Sequence, residues 1–312
     1  MAQYKIAIIG ECMAELSGSL FNTMQQGFGG DTMNTAIYLK QLMADDVQVS
    51  YVTVMGNDNL SDAMIEKWQD YDVDTQFVLR DERRHCGLYM IQNEDNGERH
   101  FQYWRSDAAA KFIMQHPQVL EVFNQLATYD AVFLSGISIA ILSDADRSAL
   151  MSQLFDLREK GVKILFDGNY RSQLWSSVEQ AQLAYKAIYK LCDLALVTHD
   201  DEALLWGDAN VDATINRLQL FDIAELVTKD GANGCYYTKN SETCHIGTKP
   251  IKQVVDTTAA GDSFNAGFLA GWLQTMSLVH TCQMGNQTAA QVIQQKGAII
   301  ELNTDLIGVS RG

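Results

Sequence analysis

Two short apolar runs, Ala131-Val132-Phe133-Leu134-Ser135-Gly136 and Val162-Lys163-Ile164-Leu165-Phe166-Asp167, flank an amphipathic stretch over 143–160. The runs have the length and composition of buried strands, and the stretch between them has helical periodicity. Strand, helix, strand in that order cannot close as a hairpin. It needs a crossover, and a crossover sets the two strands parallel. The order recurs. Residues 6–9 read as a buried first strand ending at Gly10, and 49–55 as another. Helical patterns follow at 36–43 and 60–71, and strands again at 194–197 and 225–228. The fold expected is α/β: a doubly wound, mostly parallel sheet flanked by helices, with ligands beyond the C-terminal ends of the strands.

The rhythm breaks once. Residues 77–79, 87–91 and 100–104 are strand-like, and Asn96-Gly97 between the last two is a hairpin turn signal. The stretch 11–20 alternates and reads as a short exposed strand. A hairpin set into α/β units predicts a small β lid, placed at about 11–28 and 77–105, on a single domain spanning 1–312. No Pro/Gly/Ser-rich linker divides the chain, which has only two prolines.

Composition removes several function classes. The formal net charge of −16 disfavours nucleic acid as a partner. No apolar run is long enough for a membrane span, and the start lacks a basic region and cleavage site, so the expected location is cytoplasmic. Cys12, Cys86, Cys192, Cys235, Cys244 and Cys282 are scattered without a CxxC pair and read as reduced thiols. In so acidic a chain, a site for an anion must gather positive charge locally.

The chemistry is expected at Asp256-Thr257-Thr258-Ala259-Ala260-Gly261-Asp262. An apolar, strand-like run (251–255) leads into it and a helix-periodic run (264–273) follows. A helix N-terminus offers unpaired N–H groups and partial positive charge, and small residues let an anion approach the backbone. Asp262 beside that anion is either a helix cap or a base that takes a proton from an attacking hydroxyl. On this turn alone the cap is the commoner explanation. Four other stretches join it. Gly29-Gly30-Asp31 opens a helix, with Asp31 as its cap. Tyr103-Trp104-Arg105 and Gly168-Asn169-Tyr170-Arg171 each place an arginine where a carboxylate can be held. Lys229-Asp230-Gly231-Ala232-Asn233-Gly234 is a glycine turn between strands. There is no Gly-x-x-x-x-Gly-Lys-Ser/Thr, and no Gly-x-Gly-x-x-Gly after the first strand, so P-loop and dinucleotide folds are not favoured.

The 256–267 stretch resembles the C-terminal signature of the ribokinase-like (PfkB) carbohydrate kinases, and Gly29-Gly30 with Asn34 resembles the N-terminal one. The resemblance covers nearly the whole chain. It implies that Asp262 is the catalytic base and that Ala259, Ala260 and Gly261 form the anion hole for the transferring phosphate. Position 259 commonly holds Gly, so Ala there needs a negative φ or mild strain. It further implies that Gly29, Gly30 and Asn34 contact substrate hydroxyls. Asn169, Thr228, Lys229, Gly231, Gly234 and Asn286 would contact ATP, and Glu202 a water of Mg²⁺. ATP, Mg²⁺ and a monovalent cation are the cofactors implied, and a lid of this kind often pairs with a second subunit's lid in a homo-oligomer. Within the family, Gly87-Leu88-Tyr89, Tyr103-Trp104-Arg105 and Asn169-Tyr170-Arg171 resemble members that phosphorylate the terminal hydroxyl of 2-keto-3-deoxy-D-gluconate. Tyr89, Tyr103, Arg105 and Arg171 would then bind the sugar acid. A kinase of another sugar, and a sugar-acid sensor without turnover, are the rival expectations.

Overall fold

Alternation along β1 (Tyr4–Ile9) sets the plan of the molecule. Ile6 and Ile8 join one buried apolar cluster, Ala7 and Ile9 another. A strand buried on both faces needs a helical layer on each. A computed structural model of the chain describes residues 2–93 and 99–308 and has this layering. Its other strands are β2 (Met13–Gly18), β3 (Met24–Gly29), β4 (Val47–Gly56), β5 (Val78–Asp81), β6 (Leu88–Asn93) and β7 (Arg99–Trp104). They continue with β8 (Ala131–Ser135), β9 (Lys163–Asp167), β10 (Leu194–Thr198), β11 (Glu225–Lys229), β12 (Cys235–Lys239) and β13 (Glu242–Ile246). The helices are α1 (Asp31–Met43), α2 (Asn59–Gln69), α3 (Val119–Leu126), α4 (Gly136–Ala140) and α5 (Asp144–Glu159). After them come α6 (Val178–Tyr189), α7 (His199–Trp206), α8 (Val211–Gln219), α9 (Ala260–Leu273) and α10 (Leu278–Val292).

Among the described residues, nine strands form one sheet in the order β13-β12-β11-β10-β9-β8-β1-β4-β5. Pairing is parallel from β5 to β11 and antiparallel at β12 and β13. Strand order runs outward in opposite directions from the β1/β8 boundary, a switch point that opens a crevice at the C-terminal strand ends. The second sheet, β3-β2-β6-β7, is the lid. It leaves the large sheet directly after β1 and returns through Gly29-Gly30 into α1.

Two local expectations change, at 77–79 and at 251–255. The 77–79 run belongs to the large sheet, not the lid: β5 pairs parallel with β4. β3 falls almost wholly within the expected lid range, and its glycines complete an antiparallel ladder with β2. The 251–255 run is not a strand. Among the described residues no strand pairs with it; instead the Val255 and Asp256 N–H groups donate to the Ile293 carbonyl at the end of α10, 2.8 and 3.2 Å away. The Asn96-Gly97 turn lies outside the described residues.

α9 runs through the interior, buried from Ser263 to Gly271. It lies so close to α10 that a Cβ on Gly267 would come within 2.6 Å of the Met284 carbonyl oxygen, and one on Gly271 within 2.9 Å of Thr281 Cα. Two glycines one turn apart thus let the backbones meet. The helix carrying Asp262 is clamped along its length.

Candidate active site

The turn that starts α9 carries the strain its sequence implied. Ala259 is the N-cap in the left-handed region, φ 59° and ψ 17°. That conformation costs an L-residue roughly 1–2 kcal/mol. Ala259→Gly removes that cost and adds about 0.5–1 kcal/mol of unfolded-chain entropy. The substitution is therefore expected to raise the denaturation midpoint slightly at unchanged m-value. A lowered midpoint would show that the alanine methyl packs better than its backbone strains.

Ala260, Gly261 and Asp262 form the first turn of α9 and line a polar cavity of about 480 Å³. Gly29, Gly30, Tyr89, Tyr103, Arg105 and Arg171 line it too, as do Asn169, Lys229 and Ala259. An apolar cleft of about 390 Å³ adjoins it, walled by Ile251, Val254, Phe264 and Ile293, with Gly231, Gly234 and Asn286 on its lining. Thr198, Lys229, Thr257, Ala260 and Gly261 belong to both. A helix N-terminus therefore sits between a polar chamber and an apolar slot. That arrangement suits an anion joined to a flat apolar group on one side and a hydroxylated molecule on the other.

The charges are dense. Lys229 Nζ is buried between Asp167 Oδ1 and Asn265 Oδ1, 3.0 Å from each. Asp262 accepts the Asn34 side-chain N–H at 2.8 Å. Burial foremost, then the nearby Asp31 carboxylate, pushes the Asp262 carboxyl up to about 7, against the pull of the Asn34 hydrogen bond. A carboxyl so placed is a usable base at neutral pH.

Arg105 reaches down from the end of β7 to the buried Glu11, just past β1. Arg171 holds both oxygens of Asp201 at 3.2 and 3.3 Å and donates to the Tyr170 carbonyl at 2.7 Å. Each arginine thus faces the cavity with a carboxylate already behind it. Tyr89, Phe101 and Tyr103 stack along the lid with centroids 6.0–6.4 Å apart, and the Tyr89 hydroxyl donates to Glu15.

Several assignments move. Glu202 is fully buried, with the Tyr189 hydroxyl 2.6 Å from Oε1 and Arg217 2.7 Å from Oε2. It is not at the cavity, because one step along a helix turns a side chain by about 100°. The α7 acids that do line the cavity are Asp200 and Asp201. Thr228 is buried within β11 and lines neither space. Asn169 lines the polar cavity but not the apolar cleft, and donates to Asp31 at 2.6 Å. Asn34 is not on the lining; it holds Asp262. Asp31 is not the cap of α1. Gly30 is, without a side-chain cap, and Asp31 lines the cavity, its carboxyl raised chiefly by burial.

Sequence reasoning thus missed Asp31, Asp167, Asp201 and Glu11. Three of these stand at strand ends or helix starts on the crevice side, a position that was legible. From sequence Asp31 reads as a helix cap, and Asp167, Asp201 and Glu11 carry no local sign of the charges they face.

Known proteins are similar to this chain over nearly its whole length. The profile described as pfkB family carbohydrate kinase matches residues 3–305. A 2-dehydro-3-deoxygluconokinase of Haemophilus influenzae is 47% identical over 300 residues, covering 95% of this chain and 96% of that protein. One from Escherichia coli K12 is 43% identical, covering 95% and 97%. Among solved structures, a putative ribokinase II from E. coli, in complex with ATP and Mg²⁺, superposes with a TM-score of 0.82 at 20% identity, covering 98% of this chain and 97% of that one.

Proposed function

This chain belongs to the pfkB family of carbohydrate kinases, and from that premise we propose that it transfers the γ-phosphoryl group of ATP to the terminal hydroxyl of 2-keto-3-deoxygluconate. The observation that carries the reading is that Asp262, the first turn of α9, Arg105 and Arg171 line one cavity. The similarity to 2-dehydro-3-deoxygluconokinases supports the substrate.

In this reading the adenine occupies the apolar cleft, near Asn286, and the phosphates cross the turn at Ala260-Gly261 beside Lys229. The sugar acid lies in the polar cavity with its carboxylate toward Arg105 and Arg171. The terminal hydroxyl oxygen attacks the γ-phosphorus and its proton passes to Asp262. The new O–P bond forms as the bond from the γ-phosphorus to the β,γ-bridging oxygen breaks, and ADP leaves. The backbone N–H groups of the turn face the oxygens that gain charge. Asp200 would hold Mg²⁺, with Asp201 sharing its carboxylate between the metal and Arg171, while Asp167 is engaged by Lys229. One or two carboxylates are enough for a metal that takes its remaining ligands from phosphates and water. When bound, Mg²⁺ neutralises phosphate charge. The lid over the cavity keeps water from competing. On its outer side Trp104 is about half exposed, a surface that a second copy's lid would cover.

ADP release is the test, with ATP, Mg²⁺ and 2-keto-3-deoxygluconate set beside gluconate, ribose and fructose, in Na⁺ and in K⁺. Turnover confined to the keto-deoxy acid is expected. Turnover on a neutral sugar instead would overturn the substrate and keep the kinase. One observation favours that second reading: both arginines already hold carboxylates, so the cavity carries less free positive charge than two arginines alone would give.

A further inference from the structure

The base is held by a residue expected to hold the sugar. Asn34 is buried on α1, one turn past Gly30, and its side-chain nitrogen donates to Asp262 Oδ2 at 2.8 Å. The next residue, Thr35, directs its hydroxyl to the Asp262 backbone carbonyl at 3.2 Å and to the Asp31 carbonyl at 3.1 Å. Two consecutive residues of one helix therefore locate both the backbone and the carboxylate of the base. Asn34 Oδ1 is buried with no hydrogen-bond partner among the described residues. A buried amide oxygen left unpaired is unfavourable, so the second half of this amide is unused in the resting site.

We propose that Asn34 is a positioning residue that follows Asp262 through both of its protonation states. Its N–H holds the carboxylate before the substrate's proton arrives. After a half-turn of the amide, its Oδ1 accepts the O–H of the carboxylic acid that the transfer leaves. The proton's source rests on the kinase reading above; the pairing does not.

The chemistry of the amide makes it suitable. Asparagine presents a donor and an acceptor at equal reach. Leucine has its size and neither group. Aspartate has only acceptors while ionised, and would set two carboxylates against each other. The other charges facing Asp262 come from three elements: Asp31 of α1 and Asp167 of β9 oppose its ionisation, and Lys229 of β11 favours it. Asn34 is the neutral group among them: it can aim the base in either state, and it favours the carboxylate only by the margin of a charge-assisted bond over a neutral one. Because Asn34 starts one turn beyond Gly29-Gly30, the turn facing the sugar and the grip on the base share a single helical turn.

The experiment is a ¹³C NMR titration of carboxyl-labelled aspartate in the ligand-free protein. The Asp262 signal is identified by its loss in Asp262→Asn. In Asn34→Leu the Asp262 midpoint is expected to rise by about half to one pH unit, the margin by which a hydrogen bond to the carboxylate exceeds the one to the neutral acid. The acid limb of kcat/KM should move with it. The kcat should recover toward wild type at high pH, and KM should change little. Asn34→Ser, too short to reach Asp262 and small enough for any packing, should show the same shift, and serves if the leucine variant does not fold. An unmoved midpoint with a raised KM would overturn the proposal and return Asn34 to substrate binding. If the wild type phosphorylates none of the sugars, the kinase reading fails and the NMR midpoint alone decides the role of Asn34.

Discussion

Asp262→Asn is expected to lower kcat by three orders of magnitude or so and, at pH 8, to raise the melting temperature of the ligand-free protein. The first effect follows from losing a positioned general base, worth about 10²–10⁴ in rate. The second follows from burial. The folded carboxyl titrates at about 7, while in the unfolded chain it titrates near 3.9. A group whose pKa rises on folding gives its full contribution below the unfolded value and loses it as pH climbs through the folded one. Wild-type stability should therefore fall between about pH 4 and pH 7 from this source and then level off. The asparagine variant lacks that slope. Its advantage should be clear at pH 8 and should vanish as pH approaches 4. The acid limb of wild-type kcat/KM should lie near 7, since that profile reports the free enzyme. Calorimetry across pH, beside steady-state kinetics, checks all three. A variant that turns over at the wild-type rate would remove Asp262 from the chemistry. A stability difference that is flat with pH would show that its carboxyl is ordinary.

The same residue shows where the sequence could be read and where it could not. The β-α-β order followed from apolar periodicity, because a doubly buried strand has few other uses. The Ala259–Asp262 turn followed from small residues before a helix. The environment of Asp262 did not follow, because it is built from Asn34, Asp31, Asp167 and Lys229, which meet only through long-range packing. Glu202 and Asp201 differ by one position, yet a helix start turns one into the core and the other into the cavity. The 251–255 run has the composition of a strand but, among the described residues, no neighbour to pair with, and composition cannot supply one. What is local was legible; which carboxylate faces which cation was not.

That distinction bears most heavily on Arg105. Arg105→Gln alone confounds two effects. It removes the guanidinium that would hold the substrate's carboxylate, and it strands Glu11, which is buried beneath. Breaking a buried pair from one side costs about 3–5 kcal/mol. Burial already holds the Glu11 carboxyl above its ordinary range against the pull of Arg105, so losing Arg105 raises it further. The single variant should lose stability, and more at pH 8 than at pH 5, because a raised carboxyl is costly only where it must ionise. Glu11→Gln/Arg105→Gln replaces the ion pair by two amides and should recover much of that loss. The double variant then isolates function. Losing one partner of a close charge pair costs about 2–5 kcal/mol in binding, so kcat/KM for 2-keto-3-deoxygluconate should fall by roughly 30-fold to several thousand-fold. The loss should appear mainly in KM, because the carboxylate lies away from the transferring phosphoryl and binds ground and transition states alike. Any slow turnover of a neutral sugar should be spared. If the stable double variant keeps its kcat/KM for the sugar acid, Arg105 serves the lid hinge through Glu11, and the substrate's charge falls to Arg171 alone.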